Sequence, residues 1–172
     1  MQKKLLSIAM GFITLGMASS ASAAFIEQVT QTSTLTFSQP TSALNLVINP
    51  VAGLTAGAFQ NGAQLANITV TQTASTDLNH IGLRWTPGIA NQVVESSRQA
   101  VVLGDTSATN QLKAIISFTG VAGSDVASPA GGPYYVTTPT VNTLNAQILT
   151  QGNQNIAADT YPISLDAAVY IP

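Results

Sequence analysis

The chain is predicted to fold as an all-β sandwich or barrel. Three observations predict it. Short apolar runs alternate with polar residues at a period of two. Thr, Val and Ile are abundant, and clusters of Gly, Pro and Asn interrupt the runs at spacings of roughly ten residues. No stretch of eleven or more residues carries a helical period.

The elements follow in order. Residues 30–38 alternate Thr with other residues, every even position from Thr30 to Thr36 being Thr. Residues 43–48 place Leu44, Leu46 and Ile48 on one face, and 64–73 do the same with Ala66, Ile68 and Val70. Residues 80–85 alternate Ile81, Leu83 and Trp85, and 99–103 form a shorter run. Residues 112–119 contain Ala114, Ile115, Ile116 and Phe118, followed by strands expected at 134–138 and 143–150. The last expected strand, 161–171, puts Ile163, Leu165, Ala167, Val169 and Ile171 on one face. Residues 120–133, rich in Gly, Ala, Ser and Pro, read as a long surface loop.

Composition narrows the function classes. Charged residues make up 7% of the 172, against about 25% in an ordinary soluble domain. Thr, Ser, Asn and Gln take their place, with 21 Thr in all. Five scattered Lys and Arg cannot supply the clustered charge that displaces counterions from nucleic acid, so no nucleic-acid partner is expected. There is no Cys and one His, which removes thiolate metal sites and cysteine nucleophiles and leaves little for a histidine site. No metal or cofactor is expected.

Residues 1–23 read as a signal peptide. Lys3 and Lys4 precede an apolar run from Leu5 to Met17, and Ala21 and Ala23 supply the small-residue cleavage pattern. The run is shorter than the roughly 20 residues that a membrane-spanning helix needs. The remaining 149 residues suit one domain. They keep three cations, Arg84, Arg98 and Lys113, against seven acids, for a net charge of −4.

The two ends depart from an ordinary sandwich. The final strand runs to Val169, Tyr170, Ile171 and Pro172, leaving nothing after it to cover its free edge. A long apolar strand with an open edge invites pairing with another chain. At the other end, 24–38 has strand propensity, but its apolar payload is concentrated at Leu35 and Phe37. Only residues 39–42 separate it from the next strand, a reach of at most about 14 Å, whereas a nine-residue strand is about 30 Å long. The segment can form a hairpin with its neighbour but cannot return along a strand to enter a vacant position in the opposite direction. A vacancy of that direction would have to be filled by another molecule.

These ends carry a resemblance. The blocks 35–40 (LTFSQP), 49–57 (NPVAGLTAG) and 158–166 (ADTYPISLD), with VYIP at 169–172 and a weaker match at 91–96 (NQVVES), resemble Saf-type pilins. These are subunits of fimbriae assembled by the chaperone–usher pathway of Gram-negative bacteria. The absence of cysteine fits the long-loop chaperone branch. Residues 121–141 match poorly, so no receptor specificity carries over. The resemblance implies an incomplete immunoglobulin-like β-sandwich lacking its last strand, with an N-terminal donor-strand extension. The division would be a signal peptide at 1–23, the extension and linker at 24–42 and the pilin domain at 43–172.

It also implies a mechanism. A hydrophobic groove is filled first by a periplasmic chaperone and then by the extension of the next subunit. By position, the donor face is Val29, Gln31, Ser33, Leu35 and Phe37. The acceptor groove is Leu44, Leu46, Ile48, Ile163, Leu165, Val169 and Ile171. Asp159 and Tyr161 suit a tyrosine corner, in which the Tyr hydroxyl bonds back to backbone. The implied partners are neighbouring copies, the chaperone, an outer-membrane usher and a host-cell receptor. The implied location is a cell-surface fimbrium reached through the periplasm.

No enzymatic constellation stands out. His80 beside Asp77 lacks a G-x-S-x-G elbow, and the Glu pair available for glycoside hydrolysis is Glu27 and Glu95, the first of them in the extension. Asp105 and Asp125 fall in expected loops without a calcium motif. The alternative function is a monomeric, secreted carbohydrate-binding β-sandwich that stacks sugars on Trp85 or on Tyr134 and Tyr135. Trp85 lies on the alternating apolar face expected to be core, and the adjacent tyrosines must point to opposite faces.

Overall fold

A computed structural model of the chain describes residues 44–73, 78–128 and 131–172. The expected signal peptide, the expected strand at 30–38, the extension at 24–42 with its donor residues, and Asp77 lie outside these residues. The described residues contain no helix. They form twelve strands: β1 (Leu44–Pro50), β2 (Gly57–Phe59), β3 (Gln64–Gln72), β4 (His80–Trp85), β5 (Gln92–Val94), β6 (Gln99–Leu103), β7 (Gln111–Phe118), β8 (Gly123–Val126), β9 (Tyr134–Thr137), β10 (Thr143–Thr150), β11 (Gln154–Ile156) and β12 (Leu165–Tyr170).

Two sheets carry the architecture. One has six strands in the order β1-β3-β10-β7-β6-β5, and the other has four in the order β12-β4-β9-β8. The short β11 and β2 pair separately. Every pairing is antiparallel. The period-two patterns explain why these runs become strands, because each inward row of apolar residues meets a row from the facing sheet. From the larger sheet come Ile68 and Val70 of β3, Leu144 and Ile148 of β10, Leu112 and Ile116 of β7, and Val102 of β6. Facing them are Ile81, Leu83 and Trp85 of β4, all at 0% exposure, with Leu165 of β12.

Three side chains of this core, Trp85, Thr137 and Thr150, satisfy their buried polar atoms within it. The Trp85 indole N–H donates to the Arg98 carbonyl at 2.7 Å. The Thr137 hydroxyl accepts from the Ile81 N–H at 3.1 Å. Thr150, fully buried, donates from its hydroxyl to the Gln60 carbonyl at 2.6 Å and accepts from the Ala63 N–H at 2.9 Å.

The structure corrects two readings. The expected loop at 120–133 contains β8, which pairs with β9 from Gly123↔Thr137 to Val126↔Tyr134. The glycine signal there marks a close approach: a Cβ on Gly123 would come within 2.8 Å of the Tyr135 ring. The expected strand at 161–171 begins only at Leu165; ahead of it Pro162 has no N–H for a ladder, the Tyr161 side chain bonds back to Ala157, and Ser164 is held by Gln92 and by one backbone bond from the Thr86 N–H. The short strands β2, β5 and β11 were not expected as strands.

Truncating one core side chain leaves a cavity that the rigid sheets cannot close. Ile148→Ala, at a position with 0% exposure, is expected to lose about 2–5 kcal/mol. The urea midpoint of the folded protein should fall accordingly with an unchanged slope. An unchanged midpoint would show that Ile148 is not core.

Candidate functional site

β1 and β12 are edge strands, one in each sheet, and they lie beside each other. β12 pairs with β4 along its full length, from Leu165↔Trp85 to Tyr170↔His80. Among the described residues no strand pairs with its other edge. β1 likewise pairs only with β3, from Leu44↔Gln72 to Pro50↔Ala66. Pro50 suits such an edge, since it has no N–H to offer a further ladder.

The two edges run in opposite directions. Pro50, at the C-terminal end of β1, and Ile163, just before β12, line one cavity. At the other end a chain of contacts links β1 to the close of β12. Leu44 pairs with Gln72, whose N–H donates to the Asn142 carbonyl at 2.9 Å. The neighbouring Val141 N–H donates to Asn79 at 2.8 Å, and the next residue, His80, pairs with Tyr170.

Leu44, Leu46 and Ile48 are half-buried and pack against the core from β1. Leu165 is 8% exposed, Ile163 and Ala167 pack on the same core, and Val169 is half-buried. Ile171 follows β12 and is 76% exposed. The seven residues assigned to the groove thus fall on the two bordering edges and their flanks. At the Pro50 end the opening widens into a cavity of about 420 Å³ lined chiefly by Pro50, Leu54, Phe59, Leu65, Leu112, Ile156, Tyr161 and Ile163.

The wall of this cavity is fixed by a corner. The Tyr161 hydroxyl donates to the Ala157 carbonyl at 3.0 Å. Beside it, the Asp159 carboxylate accepts from the Thr106 and Thr160 N–H groups at 2.9 and 2.8 Å, from Asn110 Nδ2 at 2.9 Å and from the Ser107 N–H at 3.2 Å. These donors, the Asn110 amide foremost and then the Thr106 N–H, favour the ionised form and hold Asp159 well below the usual carboxylate range. Gly104 makes room, because a Cβ there would run into the Asp159 carboxylate.

A second fastening holds the approach to β12, and nothing in the sequence pattern announced it. The buried Gln92 amide donates to the Thr86 and Ser164 carbonyls at 2.8 and 3.0 Å and accepts from the Ser164 N–H at 3.1 Å. Ser164 and Asp166 both bond to the Thr86 hydroxyl. Asp166 also pairs with Arg84 Nε at 3.0 Å, and the Arg84 guanidinium stacks on Tyr134 at 4.2 Å.

The remaining candidates have structural surroundings. Trp85 at 0% exposure offers no face to a sugar. Tyr135 is covered by the Arg98 guanidinium and Phe118. His80 Nδ1 hydrogen-bonds the Thr137 carbonyl at 2.8 Å. Asp105 accepts from the Asn91 amide at 2.7 Å, and Asp125 accepts from the Ser97 hydroxyl. The described residues hold no cluster of three or more His, Asp or Glu that could bind a metal ion.

The family described as Saf-pilin pilus formation protein matches residues 23–172. Characterised protein sequences give no significant match. Among solved structures, the chain is similar to the Salmonella SafD adhesin, with 16% identity and a TM-score of 0.59 over 75% of this chain and 88% of that one. It is also similar to HdaB, the minor tip subunit of the E. coli Hda pilus, with 14% identity and a TM-score of 0.58 over 75% and 84%. AggB, the minor subunit of aggregative adherence fimbriae type I from E. coli, aligns with 14% identity and a TM-score of 0.57 over 74% and 86%. At these identities the structures speak for the fold, which is the immunoglobulin-like sandwich of fimbrial subunits.

The Asp159 corner has a defined pH response. Its carboxyl is depressed in the folded state, so its stabilisation is complete above the ordinary carboxylate value of about 4 and is lost as pH falls below it. Thermal unfolding followed from pH 7 to pH 2 should show Asp159→Asn starting lower than the parent protein and falling less steeply below pH 4. Parallel curves would remove Asp159 from the corner's energetics.

Proposed function

The chain belongs to the Saf-pilin pilus formation family, and we propose that it polymerises by donor-strand exchange through the groove between β1 and β12. As a pilus subunit it assembles with neighbouring pilins into a surface fimbrium. The observation that carries the proposed mechanism is that, among the described residues, the outer edges of β12 and β1 lie beside each other and neither is paired. One strand placed between them would satisfy both rows of backbone groups and cover the half-buried Leu44, Leu46, Ile48 and Val169.

The incoming strand in this reading is the segment containing Val29, Gln31, Ser33, Leu35 and Phe37 of another copy. Leu35 and Phe37 supply its apolar payload, each worth about 1.5–3 kcal/mol when buried, before the cost of ordering the strand. Direction favours another copy over self-insertion. A chain joined to the start of β1 by residues 39–43 can fold back only antiparallel to β1. A strand in the hairpin direction relative to β12 runs parallel to β1 instead, and five residues do not span the length of β1.

The remaining parts of the reading follow from the same groove. Residues 1–23 direct export to the periplasm. A chaperone there occupies the groove until exchange, and an outer-membrane usher is the site of assembly. The finished fibre serves adhesion by engaging a host-cell receptor. Asp159 and Tyr161 serve as the structural corner that keeps the cavity wall in place.

The full-length protein is expected to give high-mass ladders on a denaturing gel that collapse to one band on boiling. Deletion of residues 24–38 should yield subunits that accept a donor strand but add no further copy, and Phe37→Asp should slow ladder growth at least tenfold, the loss of about 1.4 kcal/mol or more. A full-length protein that stays monomeric, stable and free of ladders at high concentration would sink the mechanism.

A further inference from the structure

Two buried glutamines neighbour these edges, Gln72 on β3 beside β1 and Gln92 on β5 against Ser164, and their circumstances differ. Gln92 satisfies both ends of its amide with Thr86 and Ser164. Gln72 is 7% exposed, and neither its Nε2 nor its Oε1 has a partner. Among the described residues it is the only side chain with both amide atoms buried and unmatched. A buried amide in this condition is costly and asks for a missing partner.

Its position says where that partner comes from. Gln72 continues the inward row of Ile68 and Val70 and lies directly across from Leu44 of β1. It therefore stands at the end of the groove where β12 finishes, opposite the apolar cavity at Pro50. The groove is chemically polarised, with a large greasy socket at one end and an unpaired amide at the other.

We propose that Gln72 determines the register of the donor strand, by pairing with the Gln31 amide of a second copy. The inference rests on the donor-strand reading above. Gln31 and Phe37 are six residues apart on one face of the extension, and Leu44 and Pro50 are six residues apart on β1. A donor running parallel to β1 with Phe37 at the cavity therefore brings Gln31 level with Leu44 and Gln72, while Ser33 and Leu35 fall level with Leu46 and Ile48. Two strand spacings, about 10 Å, separate such a donor from β3. Two glutamine side chains reaching toward each other across the half-buried Leu44 span that distance, and a serine does not.

The alternatives are penalised. A two-residue slip presents Val29 or Ser33 to the Gln72 amide. Reversal of the strand seats Phe37 against that amide and Gln31 in the apolar cavity. The Thr-rich extension needs such a device, because a strand with few large apolar side chains specifies its register weakly.

The test is a double-mutant cycle on fibres of the full-length protein, using Gln31→Leu, Gln72→Leu and the pair together. The readout is the rate at which fibres shed subunits in denaturant. Each single change leaves one amide buried and alone, and should speed dissociation about tenfold, whereas the double change should return it to within about threefold of the parent. Multiplicative effects in the double variant, as expected if water satisfies Gln72, would overturn the proposal. Gln31→Leu lies outside the sandwich in sequence, so its arm stays informative even if Gln72→Leu folds poorly.

A second measurement reads register directly. The chain has no cysteine, so copies bearing Gln31→Cys, mixed with copies bearing Gln72→Cys, should be joined by a short thiol-specific cross-linker. Preferential joining of Val29→Cys or Ser33→Cys to Gln72→Cys would also overturn the proposal. Fibres that form with the wrong cycle or cross-link refute the role of Gln72 alone. Failure of the unmodified protein to assemble head to tail refutes the donor-strand reading with it.

Discussion

The constraint on which the rest of the structure depends is the backbone of two neighbouring edges, unmatched among the described residues. β12 offers one row of N–H and C=O groups to β4, and its other row, on the side of β1, has no strand partner among the described residues. Backbone polar groups next to an apolar core are costly to leave without partners. Leu44, Leu46 and Ile48 on one side and Val169 on the other are only half-covered. Among the described residues the space between these edges lacks both hydrogen-bond partners and apolar cover, and in the proposed fibre a single β-strand would supply both at once.

In the proposed fibre, an edge that receives a strand has to be held rigid before its neighbour arrives. The chain achieves this with side chains placed just ahead of β12. Asp159 gathers the 104–110 loop, Tyr161 closes its own turn through Ala157, and Gln92 fastens Ser164 from below. Arg84 and Asp166 hold the outer face of the first β12 residues. These contacts supplement the single backbone bond from the Thr86 N–H to the Ser164 carbonyl and fasten the segment ahead of Leu165, where the regular strand begins.

The longer strands were legible because one face of each is buried, so burial imposes a period of two on the sequence. β4, β6 and β10 coincide with their expected limits, and β1, β3, β7 and β9 differ from theirs by no more than two residues at an end. The missed strands are three or four residues long and owe their existence to their partners. Gly123 and Asp125 in β8 have little strand propensity, yet β9 supplies the ladder and the Tyr135 ring needs the space beside Gly123. Assignment to an acceptor groove comes from the family resemblance, whereas the inward faces that carry Leu44, Leu46 and Ile48 and Leu165, Ala167 and Val169 were readable from their alternation. Gln92 and Gln72 were not, because a buried amide looks in sequence like any surface glutamine until its neighbours are known. The donor residues fall outside the described part of the chain, so their placement rests on the sequence and the family.

The opposed directions of β1 and β12 carry a mechanical consequence. In the proposed fibre, tension along the axis would act nearly parallel to the inserted strand, loading its two flanking ladders in shear. Bonds loaded in that way share the force and must rupture together, whereas a strand peeled from one end loses them singly. A thread of such joints would resist flow without a single covalent cross-link between its units.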